Sequence, residues 1–294
     1  MTARIIDGAA IARAVRAEVA EEVARHVAAG HRPPHLSVII AGDDPPSHVY
    51  VRSKARACEE AGMTSDTIEL PADATQGDVL GHIERLNADA NVDGILVQMP
   101  LPGQIDEHAA MAALDQRKDV DGLSPANLGL LLQGTPLHAP ATPSGVVEIL
   151  RREGVETSGA HVVIVGRSVL VGRPLAMLLA NKREGANATV TLAHTGTRDL
   201  AAVTRQADIL VAAMGRAKAI TAEMVRPGAV VIDVGTTQVG TTPSGRARLS
   251  GDVDFEAVRE VASAITPVPG GVGPMTIAML LVNTLSAARM LVGE

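Results

Sequence analysis

Short apolar runs alternate with segments of helical period along this 294-residue chain, and the alternation occurs twice. Runs at 36–41, 67–70 and 94–98 form one series, and runs at 162–165, 189–193, 209–212 and 230–234 form another. Helical patterns at 8–29, 47–61, 76–87, 144–153, 173–184 and 274–291 fill the gaps between them and flank them. Strands that alternate with helices need crossover connections, so the pattern predicts parallel sheets covered by helices. The stretch QGTPLHAPATPSG between the two series is dense in Pro, Thr and Gly and reads as a domain connection. The expectation is two α/β domains, the second a Rossmann-like doubly wound parallel sheet. Their limits fall at 1–138 and 139–269, with a helix in 270–294 returning to the first.

The core must be aliphatic. The chain has one Tyr, one Phe and no Trp, yet 46% of its residues are apolar, which is ample for packing. A net charge of −7, with no run of basic residues, offers nothing to recruit nucleic acid or an anionic membrane surface. Cys58 is the sole cysteine, so an intramolecular disulfide and a Cys-rich metal site are excluded, and no metal is expected. The N-terminal stretch carries Arg4, Asp7 and Arg13 and lacks the pattern of a signal peptide. The apolar segment 275–292 is interrupted by Asn283, Thr284, Ser286 and Arg289, and reads as a packing helix. A soluble, cytoplasmic protein is expected.

In the second half, HVVIVGRSVLVGRPLAMLLA is a buried strand, a glycine turn and a helix. A strand feeding a helix N-terminus through Gly166 and Gly172 is suited to a phosphate, because free N–H groups and the positive dipole end face it. Ser168 stands where the second glycine of G-x-G-x-x-G would be, and a purely structural turn would use the same glycines. The next strand ends in HTGTRDL, which places His194, Thr195, Thr197 and Arg198 where an NAD site commonly has a carboxylate. With Arg167 and Arg173 in the first turn, these groups favour a 2′-phosphate and hence NADP. Asp199 is expected to cap the following helix and Asp233 to stabilise a turn.

In the first half, Tyr50 and Lys54 stand one helical turn apart in SHVYVRSKARACEE and share a face. An amphipathic helix whose lysine reaches water would show the same spacing. The only tyrosine of the chain on a half-buried face argues for a partly desolvated amine, usable in proton transfer near neutrality. Cys58 on the same line is assigned to packing. Gln98 ends the strand of VDGILVQMPLPG and can set the protonation state of a nearby lysine. KDVDGL supplies Asp119 and Asp121, either of which can cap its own turn or accept paired N–H bonds from a heterocycle. PVPGGVGPMT combines stiffness with close backbone approach.

Taken together, DGAAIA, GDDPPSHVYVRSKARACEEAG, DGILVQMPLP, KDVDGLSPANLG, PATPSGVVEIL, VIVGRSVLVGRP, VVIDVG and PVPGGVGPMTIAMLLVNT resemble the bifunctional methylenetetrahydrofolate dehydrogenase/cyclohydrolase family. They cover nearly the whole chain in family order. The resemblance implies two domains around a cleft and a homodimer formed through the NADP-binding domain. It implies a tetrahydrofolate stacked on Tyr50 and bonded by Asp121, with Lys54 catalytic and Gln98 tuning it. Gly166, Arg167, Ser168, Thr191 and Ile232 would contact NADP, and Pro269, Gly270 and Gly271 would lie near the folate. Leu123-Ser124, Val169-Leu170, Ala193-His194-Thr195-Gly196 and Val282 depart from the family pattern.

The implied chemistry is oxidation of 5,10-methylenetetrahydrofolate, then hydrolysis to 10-formyltetrahydrofolate. Two other readings use the same features: an NADP-dependent dehydrogenase of a small hydroxy acid or shikimate-like substrate, and a nucleotide-sensing module without chemistry. A small acid needs no ring platform, which favours folate.

Overall fold

A computed structural model describes residues 2–241 and 247–293 of the chain. In chain order the elements are Arg4–Ile5 (β1), Gly8–Ala28 (α1), His35–Ala41 (β2), Pro45–Glu60 (α2), Thr64–Leu70 (β3), Gln76–Ala88 (α3) and Gly94–Val97 (β4). Helices Glu107–Ala112 (α4), Pro125–Gln133 (α5) and Ala141–Arg152 (α6) follow. Then come His161–Val165 (β5), Gly172–Ala180 (α7), Thr189–Ala193 (β6), Leu200–Thr204 (α8), Ile209–Ala212 (β7) and Val230–Asp233 (β8). The chain continues through Thr237–Thr241 (β9), Ala247–Ser250 (β10), Phe255–Val258 (α9), Ala264–Ile265 (β11) and Val272–Val292 (α10).

Two compact units result. One comprises Arg13–Ala141 with residues 277–293, and the other residues 2–12 with Thr142–Thr276. In the first unit a parallel sheet runs β3-β2-β4. Ile39, Ile83, Val79 and Ile95 are fully buried beside it, in an aliphatic core shared with α3 and α4. Three local devices set its helices. Asp44 caps α2 by accepting from Ser47 N, with prolines in the first turn. Thr75 and Asp78 form a reciprocal capping box on α3. At the other end of α3, the Lys118 ammonium donates to the carbonyls of Leu86, Asn87 and Asp89. The last helix joins this unit through Asn283, whose amide donates to the carbonyls of Val120 and Ala139 at 2.8 and 2.9 Å. By length and composition α10 would suffice to cross a membrane, but half of its most apolar window is buried inside the structure.

The second unit holds a parallel sheet ordered β1-β11-β8-β7-β5-β6. Strand order reverses at β5, with β6 on one side and β7 on the other, so the switch point lies at the carboxyl end of β5. The first residues of the chain belong here rather than with 13–138, because β1 pairs in register with β11. Gly8 then packs backbone to backbone against Gly271: a Cβ on Gly8 would lie 2.0 Å from the Gly271 carbonyl oxygen. A second small sheet, the antiparallel ribbon of β9 and β10, was not foreseen in the sequence.

Candidate active site

Lys54 sits on the buried stripe of α2 with Ser47, Val51 and Ala57. Its Nζ donates to Oε1 of Gln98 at 2.9 Å. Gln98 follows the last residue of β4, and its own amide donates to the carbonyl of Met99 at 2.7 Å, which fixes the oxygen toward the lysine. Burial lowers the Lys54 pKa from its ordinary 10.5, and the charge of Asp121 acts in the opposite direction. The expected partial desolvation of this amine is therefore present. Tyr50, one turn earlier, is 41% exposed, so a face of the ring is open to a partner.

The two carboxylates of KDVDGL divide the roles that the sequence left open. Asp119 is fully buried and accepts from the N–H groups of Gly122 and Ser124 and the amide of Asn127 at 3.0, 2.8 and 2.8 Å. It is the turn cap. Ser124, one of the departures noted above, in turn caps α5. The backbone at Asp119 lies parallel to Ile95 of β4, and Ile95 N donates to the Lys118 carbonyl, which carries the segment along the strand toward Gln98. No described residue donates a hydrogen bond to the carboxylate of Asp121. Burial raises its pKa above the ordinary 3.8, against the charge of Lys54. Gly122 allows this turn at φ 69°, where a Cβ would lie 2.7 Å from the His138 carbonyl oxygen. Cys58 is buried, with its thiol pushed up to about 12 by burial, as suits a packing residue.

In the other unit, Gly166 follows β5 directly with φ 134°, and a Cβ there would lie 2.0 Å from the Ala213 carbonyl oxygen at the end of β7. A Cβ on Gly172 would lie 2.0 Å from the Gly166 carbonyl oxygen. Both glycines are thus demanded by backbone contact at the switch point. The N-terminus of α7 has no side-chain cap, and Arg167, Ser168 and Arg173 around it are exposed. A helix N-terminus without a side-chain cap, beside exposed arginines at a switch point, fits a dinucleotide phosphate. At the end of β6, His194 Nδ1 accepts from Gly196 N at 3.0 Å, which leaves Nε2 as the protonated nitrogen of the neutral ring. Asp199 caps α8 by accepting from Ala202 N, as expected.

Two of the expected cofactor contacts, Thr191 and Ile232, lie within strands. Thr191 lies in mid-strand, and its hydroxyl is 2.8 Å from Nε2 of His161. Ile232 is fully buried in β8, which leaves only its main chain for a ligand. Pro269, Gly270 and Gly271 form the turn before α10, held by Ala9 N donating to the Gly270 carbonyl. They belong to the nucleotide unit, whereas Tyr50, Lys54, Gln98 and Asp121 belong to the other. Asp252 went unnoticed in the sequence. It is fully buried and accepts from the N–H groups of Met214, Gly215 and Arg216. The glycine immediately before it, in GDVD, was the available signal.

The family description "Tetrahydrofolate dehydrogenase/cyclohydrolase, catalytic domain" matches residues 6–121, and "Tetrahydrofolate dehydrogenase/cyclohydrolase, NAD(P)-binding domain" matches 140–292. The chain belongs to the tetrahydrofolate dehydrogenase/cyclohydrolase family. It is 56% identical to the Bifunctional protein FolD of Dehalococcoides mccartyi (strain CBDB1) over 293 residues, covering 100% of this chain and 99% of that one. The FolD structure of Trypanosoma brucei, complexed with NADP cofactor and inhibitor, matches with a TM-score of 0.93 at 43% identity, over 100% of both chains. A 5,10-methylenetetrahydrofolate dehydrogenase from the silkworm Bombyx mori matches with a TM-score of 0.93 at 44% identity, covering 99% of this chain and 100% of that one.

Proposed function

We propose that this member of the family oxidises 5,10-methylenetetrahydrofolate with NADP⁺ and hydrolyses the resulting 5,10-methenyltetrahydrofolate to 10-formyltetrahydrofolate. The observation that carries this reading is the buried Lys54 amine bonded to a pinned Gln98, with no described residue donating to the Asp121 carboxylate. NADP⁺, when bound, supplies the hydride acceptor. Gly166, Arg167, Ser168 and Arg173 hold its phosphates at the uncapped helix, and His194 donates from Nε2.

The substrate's own ring-nitrogen lone pair stabilises the methenyl cation, so the dehydrogenase step needs positioning rather than a strong base. Tyr50 gives the pterin a flat apolar platform. Asp121 accepts two parallel N–H bonds from the heterocycle. Hydrolysis adds water to the cation with loss of a proton, which Lys54 takes. The hydroxy adduct then breaks its bond from the one-carbon unit to N5, and N5 takes a proton back to give the 10-formyl product. Burial favours the neutral, accepting form of the amine. Gln98 holds one amine hydrogen and thereby orients the lone pair. The same reading makes the protein a cytoplasmic homodimer that supplies one-carbon units to purine biosynthesis. The single cysteine and the family resemblance support this, and a one-chain mass in sedimentation equilibrium would overturn the dimer.

The test is spectrophotometric. Purified protein with 5,10-methylenetetrahydrofolate should form NADPH, with a parallel reaction on NAD⁺ to compare cofactors. 5,10-Methenyltetrahydrofolate alone should be hydrolysed. Absence of both reactions would overturn the assignment.

A further inference from the structure

We propose that Asp252 is a positioning residue for nucleotide binding: its carboxylate gathers the main chain after β7 and so fixes the surface on which the Gly166 turn rests. Oδ2 accepts from Met214 N at 2.5 Å and Gly215 N at 2.9 Å, and Oδ1 accepts from Arg216 N at 2.7 Å. These three N–H groups follow Ala213, whose carbonyl is in backbone contact with Gly166. No helix follows β7 directly to satisfy them, so the buried carboxylate takes that place.

Asp252 is itself held from below. Asp233, at the end of β8, accepts from Gly235 N at 3.0 Å and from the main-chain N–H groups of Asp252 and Val253 at 2.9 Å each. Two glycines leave room for the pair. A Cβ on Gly235 would lie 2.3 Å from the Asp252 carboxyl group, and one on Gly251 would lie 1.9 Å from Asp233 Oδ2. The ends of β8, β7 and β5 are thereby linked in sequence: Asp233 to Asp252, Asp252 to residues 214–216, and Ala213 to Gly166. That chain of contacts ends at the switch point of the sheet, where a dinucleotide lies. A carboxylate buried for stability alone would have no reason to terminate there.

This inference rests on the nucleotide reading above. The experiment compares wild type with Asp252→Asn, whose amide turns an N–H toward donors that need an acceptor. NADP⁺ affinity is measured by calorimetric titration, KM for NADP⁺ in the dehydrogenase assay, and hydrolysis of 5,10-methenyltetrahydrofolate as the reaction that uses no nucleotide. The expected result is a rise of tenfold or more in both Kd and KM for NADP⁺, with hydrolysis changed less than twofold. Unchanged nucleotide affinity in a variant that still hydrolyses overturns the proposal. If Asp252→Asn does not yield folded protein, Gly235→Ala pushes a methyl into the same carboxylate, and wild-type affinity in that variant overturns it equally. A wild-type protein that fails to bind NADP⁺ would instead sink the underlying functional reading, so the two failures are distinguishable.

Discussion

Lys54 donates to Gln98 from inside the protein, and Gln98 cannot turn away because its amide is bonded to the Met99 carbonyl. An amine held in this way is oriented before any substrate arrives. Replacing it with a methyl group (Lys54→Ala) should remove hydrolysis of the methenyl compound by a factor of about 10²–10⁴, while folate binding remains measurable. A hydrolysis rate equal to wild type would take Lys54 out of the mechanism.

The pH dependence follows from the environment of the same amine. The neutral form accepts the proton, so hydrolysis should fall as pH is lowered through the Lys54 pKa, which burial places below the usual 10.5. The Asp121 charge holds that pKa up. Asp121→Asn should therefore move the acidic limb of the profile to lower pH and also weaken folate binding. A limb that stays in place, with affinity intact, would show that Asp121 faces neither the amine nor the pterin.

Asp233 makes a prediction about stability. Burial pushes its carboxyl up to about 7 from an ordinary 3.8, against three main-chain donors. Between those values the folded chain keeps a proton that the unfolded chain has released. The stability it contributes is full below about 4 and is lost as pH rises through about 7, with a slope of at most about 1.4 kcal/mol per pH unit. Urea melts at pH 5 and pH 8 should differ less for Asp233→Asn than for wild type. Identical pH slopes would refute the assignment.

Gly166→Ala places a Cβ against the Ala213 carbonyl at a φ of 134°. The strain and overpacking should cost roughly 2–6 kcal/mol and abolish nucleotide binding. Calorimetric titration with NADP⁺ checks this: an affinity within threefold of wild type would mean that the turn is not the cofactor site.

Asn283→Ala removes the donor from two carbonyls, those of Val120 and Ala139. Each buried acceptor left unpaired costs about 1–3 kcal/mol. Thermal unfolding should therefore begin earlier, and an unaltered Tm would show that the last helix is held by its apolar contacts alone.

Much of this architecture was legible in the sequence because parallel strands buried on both faces read as continuous apolar runs. Those of β2, β4, β5, β7 and β8 stand within a residue of where the pattern put them, and so does the half-buried edge strand β6. β1, β9, β10 and β11 carried no such signal, being very short or polar and exposed. The predicted helix over 173–184 stops at Ala180, because Asn181 accepts from both Arg183 N and Asn187 N in a turn that periodicity does not encode. At the site, the pairing of Lys54 with Gln98 followed from strand and helix positions. Which of Asp119 and Asp121 caps the turn did not, since the two flank Val120 and only the backbone path distinguishes them. Asp252 was hidden for a similar reason: its partners lie about 38 positions earlier and are main-chain groups, on which side-chain identity leaves no mark.

The pairing of Arg4 with Ala264 bears on how the molecule is made. A ribosome releases β1 roughly 260 residues before its partner strand, so the sheet that cradles the nucleotide turn can gain this strand only after the whole of the chain between them has emerged. Until then β1 waits without that partner while the intervening Arg13–Ala141 segment emerges.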